Sequence, residues 1–138
     1  MNVENGPEIF AKVHFPECGV QTHCLIKHVK DDIYRICDHP TFAEDQVLYG
    51  DCAKMLKVDD QEYESQQVVS KSDLKFAQYI VNDKVIPEIT ALLDKLAHSN
   101  GYWQRDFGGL LTLYFDAEVF DPISDLEVII GNTKELAQ

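Results

Sequence analysis

Hydrophobic and polar positions alternate from the start of the ordered pattern. Ile9, Ala11, Val13 and Phe15 fall on one side of an extended chain and Phe10, Lys12 and His14 on the other, which predicts a half-buried strand. Pro16-Glu17-Cys18-Gly19 is a turn signal. Val20 to Val29 is a second strand, with Thr22, Cys24 and Ile26 alternating against His23, Leu25 and Lys27. Lys30-Asp31-Asp32 is a tight connection into a third strand, Ile33 to Cys37, so the first three elements predict an antiparallel meander. Asp38-His39-Pro40 breaks the pattern, and Gln46 to Tyr49 suggests a further short strand ended by Gly50-Asp51. Between residues 51 and 70 the pattern is ambiguous. Cys52 to Leu56 fits a helical turn or a strand, Asp59 to Glu64 a polar loop or exposed edge, and Val68-Val69 a brief pairing.

The period then changes. Leu74, Ala77, Val81, Val85, Ile89, Leu92 and Leu96 recur at three- and four-residue steps, with Ser72 as N-cap and Asp73 in the first turn. This predicts one long amphipathic helix over about 72–98, kinked near Val85 and Ile86 by Pro87 and stopped by Asn100-Gly101, with His98 near its C-terminal dipole. A period of two returns after Gly108-Gly109, with Leu111, Leu113, Phe115, Ala117 and Val119 on one face. Asp121 to Ser124 turns the chain into a last strand, Leu126 to Ile130. The expected fold is therefore α+β: an antiparallel sheet, made of an N-terminal meander and a C-terminal hairpin, packed on one long kinked helix. Residues 1–8 form an expected flexible tail, and 9–138 a single domain.

Composition supports a globular chain, since 45% of its 138 residues are hydrophobic. No apolar run reaches the roughly 18 residues of a membrane span, and the first seven residues lack the basic start and apolar stretch of a signal peptide. The expected location is the cytoplasm, with the four cysteines as thiols.

Charge alters the picture most. The net charge is −12, from 24 acidic and 12 basic side chains, which disfavours direct contact with nucleic acid or anionic lipid. Two segments carry all of it. Residues 38–64 hold eight acids against Lys54 and Lys57, and residues 106–133 hold six acids and no base. The candidate partner-binding residues are Asp59, Asp60, Glu62 and Glu64 in the first segment, and Asp116, Glu118, Asp125 and Glu127 in the second. If the last two strands form a hairpin, Glu118 and Glu127 stand opposite each other, a destabilising pair unless it is solvated or neutralised by a cation or basic partner. For this second cluster a solvated sheet face is the simplest account, a docking surface for a basic protein the next, and a hard-cation site or paired-acid catalysis the least supported, since no D-x-D-x-D-G calcium loop is present.

Zinc-type ligands concentrate between residues 14 and 52. His14, Cys18, His23, Cys24, Cys37 and His39 are weak metal candidates because no C-x-x-C pair organises them; packed thiols and exposed imidazoles explain them better. A thiol activated by His14 or His28 is conceivable on residue type alone. Tyr102, Trp103 and Phe107 beside Arg105 suit a core cap or a binding hot spot. No phosphate loop, dinucleotide fingerprint, G-x-S-x-G elbow or H-E-x-x-H appears, so no catalytic residue or cofactor is assigned. In type, such a chain looks like a protein inhibitor, an immunity protein or antitoxin covering the basic site of a toxin such as a nuclease. A DNA mimic blocking a nucleic-acid-binding protein is a close variant. The alternatives are a small metal-binding or Cys/His-dependent enzyme, or a structural subunit of a larger assembly.

Overall fold

The computed structural model describes residues 7–81 and 86–137. Within the stretch read as one domain, the chain packs as two compact units, Met1–Ser72 and Asp73–Gln138. Among the described residues the fold is mostly β, with eight strands and two short helices.

The first unit is a closed barrel of β1 (Glu8–Phe15), β2 (Val20–Lys30), β3 (Ile33–Ile36), β4 (Cys52–Asp59) and β5 (Glu62–Ser70). The expected meander is present and continues through two further strands. In an up-and-down meander of five strands the first and last run the same way, so the closing seam is parallel: Lys12 pairs with Glu62, Val13 with Tyr63 and His14 with Glu64. Alternation turns Ala11, Val13 and Phe15 of β1, Cys24 and Ile26 of β2, Ile36, Met55 and Tyr63 inward. Five strands leave a narrow interior, and small residues such as Ala11, Cys24 and Ala53 sit beside large ones in it. Register shifts between β4 and β5, and between His28 and Lys30, supply the bends that closure needs.

The connection from β3 to β4 is not a strand at Gln46 to Tyr49. It is a run of turns, with Gln46 and Val47 N–H groups donating to the Ala43 carbonyl, and it drives Ala43 and Val47 into the barrel core. The region around Asp59 resolves as the β4–β5 turn, where Gln61 takes a φ of 55°.

The second unit corrects the expected long helix. Its N-terminal part is β6 (Lys75–Ile80), and the helix is α1 (Ile86–Ala97). Ala77, Tyr79 and Val81 satisfy a period of two as well as Ala77 and Val81 satisfy one of four, and Phe76, Tyr79, Ile80 and Val81 are good strand formers. Ser72 is not a helix cap; its N–H donates to Asp51. Pro87 stands in the first turn of α1, where its missing N–H has no helical acceptor to lose. The expected kink at Val85 falls outside the described residues. The C-terminal stop is as expected: Asn100 adopts a φ of 65° and the Gly101 N–H returns to the Leu96 carbonyl. A side chain at Gly101 would collide with the Tyr114 carbonyl at 2.8 Å.

β7 (Tyr102–Asp106) and β8 (Leu110–Phe115) complete a three-stranded antiparallel sheet in the order β6-β8-β7. The expected last strand is instead α2 (Ile123–Ala137). Asp121 caps it, its Oδ1 accepting the Ile123 N–H at 3.0 Å, and Pro122 opens the first turn with its carbonyl accepting the Leu126 N–H. Ile123, Leu126 and Ile130 follow helical spacing and join Ile89, Leu93, Leu96, Leu111, Leu113 and Phe115 in one core. β8 ends at Phe115 because Asp116 starts a turn, its Oδ1 accepting the Glu118 N–H. Ala117 and Val119 are therefore not on a strand.

Replacing Asp121 by Ala removes the cap of α2. Urea unfolding is expected to show a loss of about 1 kcal/mol, with the far-ultraviolet spectrum of the folded protein unchanged.

Candidate functional site

The barrel carries an open groove of about 500 Å³. Phe15 and Val68 lie along it, and carboxylates enter from three distant places: Glu17 from the β1–β2 turn, Asp45 from the β3–β4 connection and Glu64 from β5. Lys71 is the single base on the lining, which Ser65, Gln66 and Gln67 complete with neutral polar groups. Three acids against one base give the groove a negative potential, concentrated between walls of low dielectric. A second depression, of about 380 Å³, is lined by Phe10, Lys12, His23, Asp60, Gln61 and Glu62. There the Phe10 and His23 rings stack at 5.4 Å.

The structure therefore divides the first acidic cluster. Glu64 joins the larger groove, and Asp60 and Glu62 the smaller. Asp59 turns inward on its own chain, accepting the Asp60 N–H at 2.8 Å. The parallel seam sets Lys12 beside Glu62, so part of this charge is offset locally, and places His14 beside Glu64. Asp51, one of the eight acids of the segment, is structural. Its buried carboxylate accepts the Leu48 N–H at 2.9 Å and the Ser72 N–H at 2.7 Å, with Lys71 Nζ at 3.5 Å. It ties the β3–β4 connection to the end of β5.

The second acidic cluster does not form the expected face. With Leu126 to Ile130 helical there is no hairpin and no pairing of Glu118 with Glu127. Asp116 closes a turn and Asp125 occupies the first turn of α2, where a carboxylate favours the helix dipole. Burial raises the Tyr79 phenol above its ordinary range, and the negative charge of Glu127, which accepts from the hydroxyl, adds to the rise. Glu118 is exposed beside the Asp116 turn. Each unit has a net charge of −6, so charge alone does not choose between them; geometry singles out the barrel groove. Sequence reasoning missed Glu17 and did not single out Asp45, because nothing local links residues 17, 45 and 64.

The Cys/His candidates are dispersed. His14 and His23 lie on the outer barrel surface, Cys18 is exposed in the β1–β2 turn and Cys24 is inside the barrel. Cys37 Sγ faces the Arg35 carbonyl at 3.6 Å, and the buried His39 places Nε2 3.2 Å from Glu44 Oε2. Among the described residues no three His, Cys, Asp or Glu are arranged to hold a metal ion. Burial pushes the Cys24 thiol far above its ordinary range, helped by the negative charge of Asp38 and by Cys37, the opposite of an activated nucleophile. Tyr102 to Asp106, read as a core cap or hot spot, form β7, and Phe107 sits at the β7–β8 turn with a φ of 55°.

Two outcomes follow for this unit. Asp51→Ala removes an acceptor from two backbone amides, and an expected loss of about 2–4 kcal/mol is read by urea denaturation. Cys24, Tyr34 and Tyr49 all have raised pKa values, with burial the leading cause. The folded state therefore holds their protons more tightly than the unfolded chain. Their contribution is complete below the unfolded thiol value of about 8.5 and is lost as pH rises beyond it, so stability is expected to fall on the alkaline side. Cys24→Ala flattens that fall between about pH 8.5 and 10, as measured by unfolding midpoints across the series.

No protein-family model matches the chain, and no curated protein matches it. Its fold resembles the solved structure of a hypothetical protein from Neisseria gonorrhoeae, with a TM-score of 0.52 and 14% sequence identity over 94% of this chain and 89% of that one. At that identity the likeness concerns the fold alone.

Proposed function

We propose that this chain is a small acidic binding protein that neutralises a basic protein partner, an inhibitor in the manner of an immunity protein or antitoxin. The observation that carries the reading is the barrel groove, where Glu17, Asp45 and Glu64 converge from separate segments against Lys71 alone. A lysine or arginine entering the groove meets three carboxylates from separate segments at once. Arginine suits it best, since a guanidinium can take two carboxylate oxygens and also donate to the side-chain carbonyls of Gln66 and Gln67. The groove on this reading is the contact surface, and Asp60 and Glu62 extend its field and speed encounter. The proposed setting is the cytoplasm. All four cysteines are free thiols, which a reducing compartment preserves, and among the described residues no helix is long and apolar enough to cross a membrane.

The test is association kinetics with a partner captured at low salt and released at high salt. The association rate is expected to fall at least about ten-fold between 50 and 300 mM salt. Combining Asp45→Lys with Glu64→Lys lowers it by a similar factor at low salt, without loss of the folded spectrum. Asp125→Lys with Glu127→Lys leaves it within about two-fold. A rate indifferent to salt and to the groove reversal refutes the reading.

A further inference from the structure

The two depressions of the barrel are joined by one strand. Glu62 lines the smaller and Glu64 the larger, and they are alternate residues of β5 on either side of the inward-facing Tyr63. Both carboxylates therefore leave the outer face, from points two residues of extended chain apart, or about 6.6 Å. The smaller depression is more than acidic. Phe10 is 58% exposed there, and its ring stacks on His23 at 5.4 Å with 23° between the planes. Asp60 lies in the β4–β5 turn and Glu62 at its exit, and the Gln61 carbonyl between them accepts the Lys12 N–H at 3.0 Å, which ties the turn to β1. An aromatic ring beside carboxylates suits a guanidinium, which is planar, stacks on a ring and takes two carboxylate oxygens at once. An ammonium has neither the plane nor the fork. Lys12 balances one of the two carboxylates in this depression, so one negative charge is left over.

We propose that the two depressions act as a pair and receive an extended segment of the basic partner that carries arginine at alternate positions, one guanidinium against Phe10 and Glu62 and the next in the groove at Glu64. This rests on the groove being the contact surface and names the segment it takes. A segment laid along β5 rises by the same amount per residue as the strand beneath it, so side chains two apart share a face and stand about 6.6 Å apart. Arginines that are adjacent, or three apart, point to opposite faces of such a segment and fill one depression only. The barrel is closed along this seam, so the segment has no edge to join as a further strand, and side chains rather than backbone must recognise it.

The test uses three capped ten-residue peptides of one composition, two arginines in a background of serine and threonine, titrated by nuclear magnetic resonance at low salt. The arginines are adjacent in the first, alternate in the second and three apart in the third. The alternating peptide is expected to bind at least about five-fold more tightly than either of the others. Glu62→Gln removes that preference and leaves the other two affinities within about two-fold. Phe10→Leu, which keeps an apolar side chain but loses the ring, weakens the alternating peptide about two- to five-fold. Glu118→Gln, at an exposed carboxylate of the other unit, keeps the preference. These substitutions lie outside the core and leave the folded spectrum unchanged. Equal binding of the three peptides that still weakens with Glu64→Gln overturns the pair and leaves the groove reading intact. So does a preference that survives Glu62→Gln, or an alternating peptide indifferent to Phe10→Leu. Failure of all three peptides to bind, or binding unaffected by Glu64→Gln, overturns the groove reading and the pair with it.

Discussion

The parallel seam between β1 and β5 is the constraint on which the first unit depends. A five-stranded meander has two open edges, each a row of unsatisfied backbone groups, and only closure removes them. The pairing of Lys12, Val13 and His14 with Glu62, Tyr63 and Glu64 achieves it. That register sends Val13 and Tyr63 into the core and leaves Glu62 and Glu64 on the outside. Moving it by one residue would exchange these faces, burying carboxylates and exposing the core. Closure also brings the β1–β2 turn alongside β5, so Glu17 and Glu64 come to share a groove.

The β3–β4 connection completes that arrangement. It is long and irregular, yet fixed at both ends. Asp51 binds it to the end of β5, and Ala43 and Val47 anchor its middle in the barrel interior. A buried carboxylate is costly in isolation, but two backbone donors and a nearby ammonium meet its needs. A loop secured in this way can present a groove-lining Asp45 without collapsing onto the barrel. Acidic residues in this chain consequently divide by work done. Asp51, Asp116 and Asp121 satisfy backbone amides, and Glu17, Asp45 and Glu64 face an open groove.

Much of the barrel was legible in local pattern. The alternation of β1 and β2 and the end of α1 at Asn100-Gly101 follow from period and from turn chemistry, which act between neighbours. Two readings failed where a short apolar segment fits two periods. Residues 74–81 satisfy helix and strand spacing alike, and pairing with β8 settles them as a strand. Residues 126–130 are rich in β-branched groups, but the Asp121 cap and Pro122 start a helix whose apolar stripe meets the same sheet. In both cases a partner surface distant in sequence outweighed propensity.

The sequence by itself determined a chain able to bury a core, strongly acidic, with an N-terminal meander and no motif that names a reaction. Those properties are sums and short-range patterns, fixed by composition and by residues a few positions apart. Only the tertiary structure decided that the chain makes two units, that Asp116 and Asp125 of the second acidic cluster serve a turn and the start of a helix, and that residues 17, 45 and 64 line one groove. The groove exists because barrel closure juxtaposes segments tens of residues apart, and no local pattern encodes which carboxylates that closure will bring together.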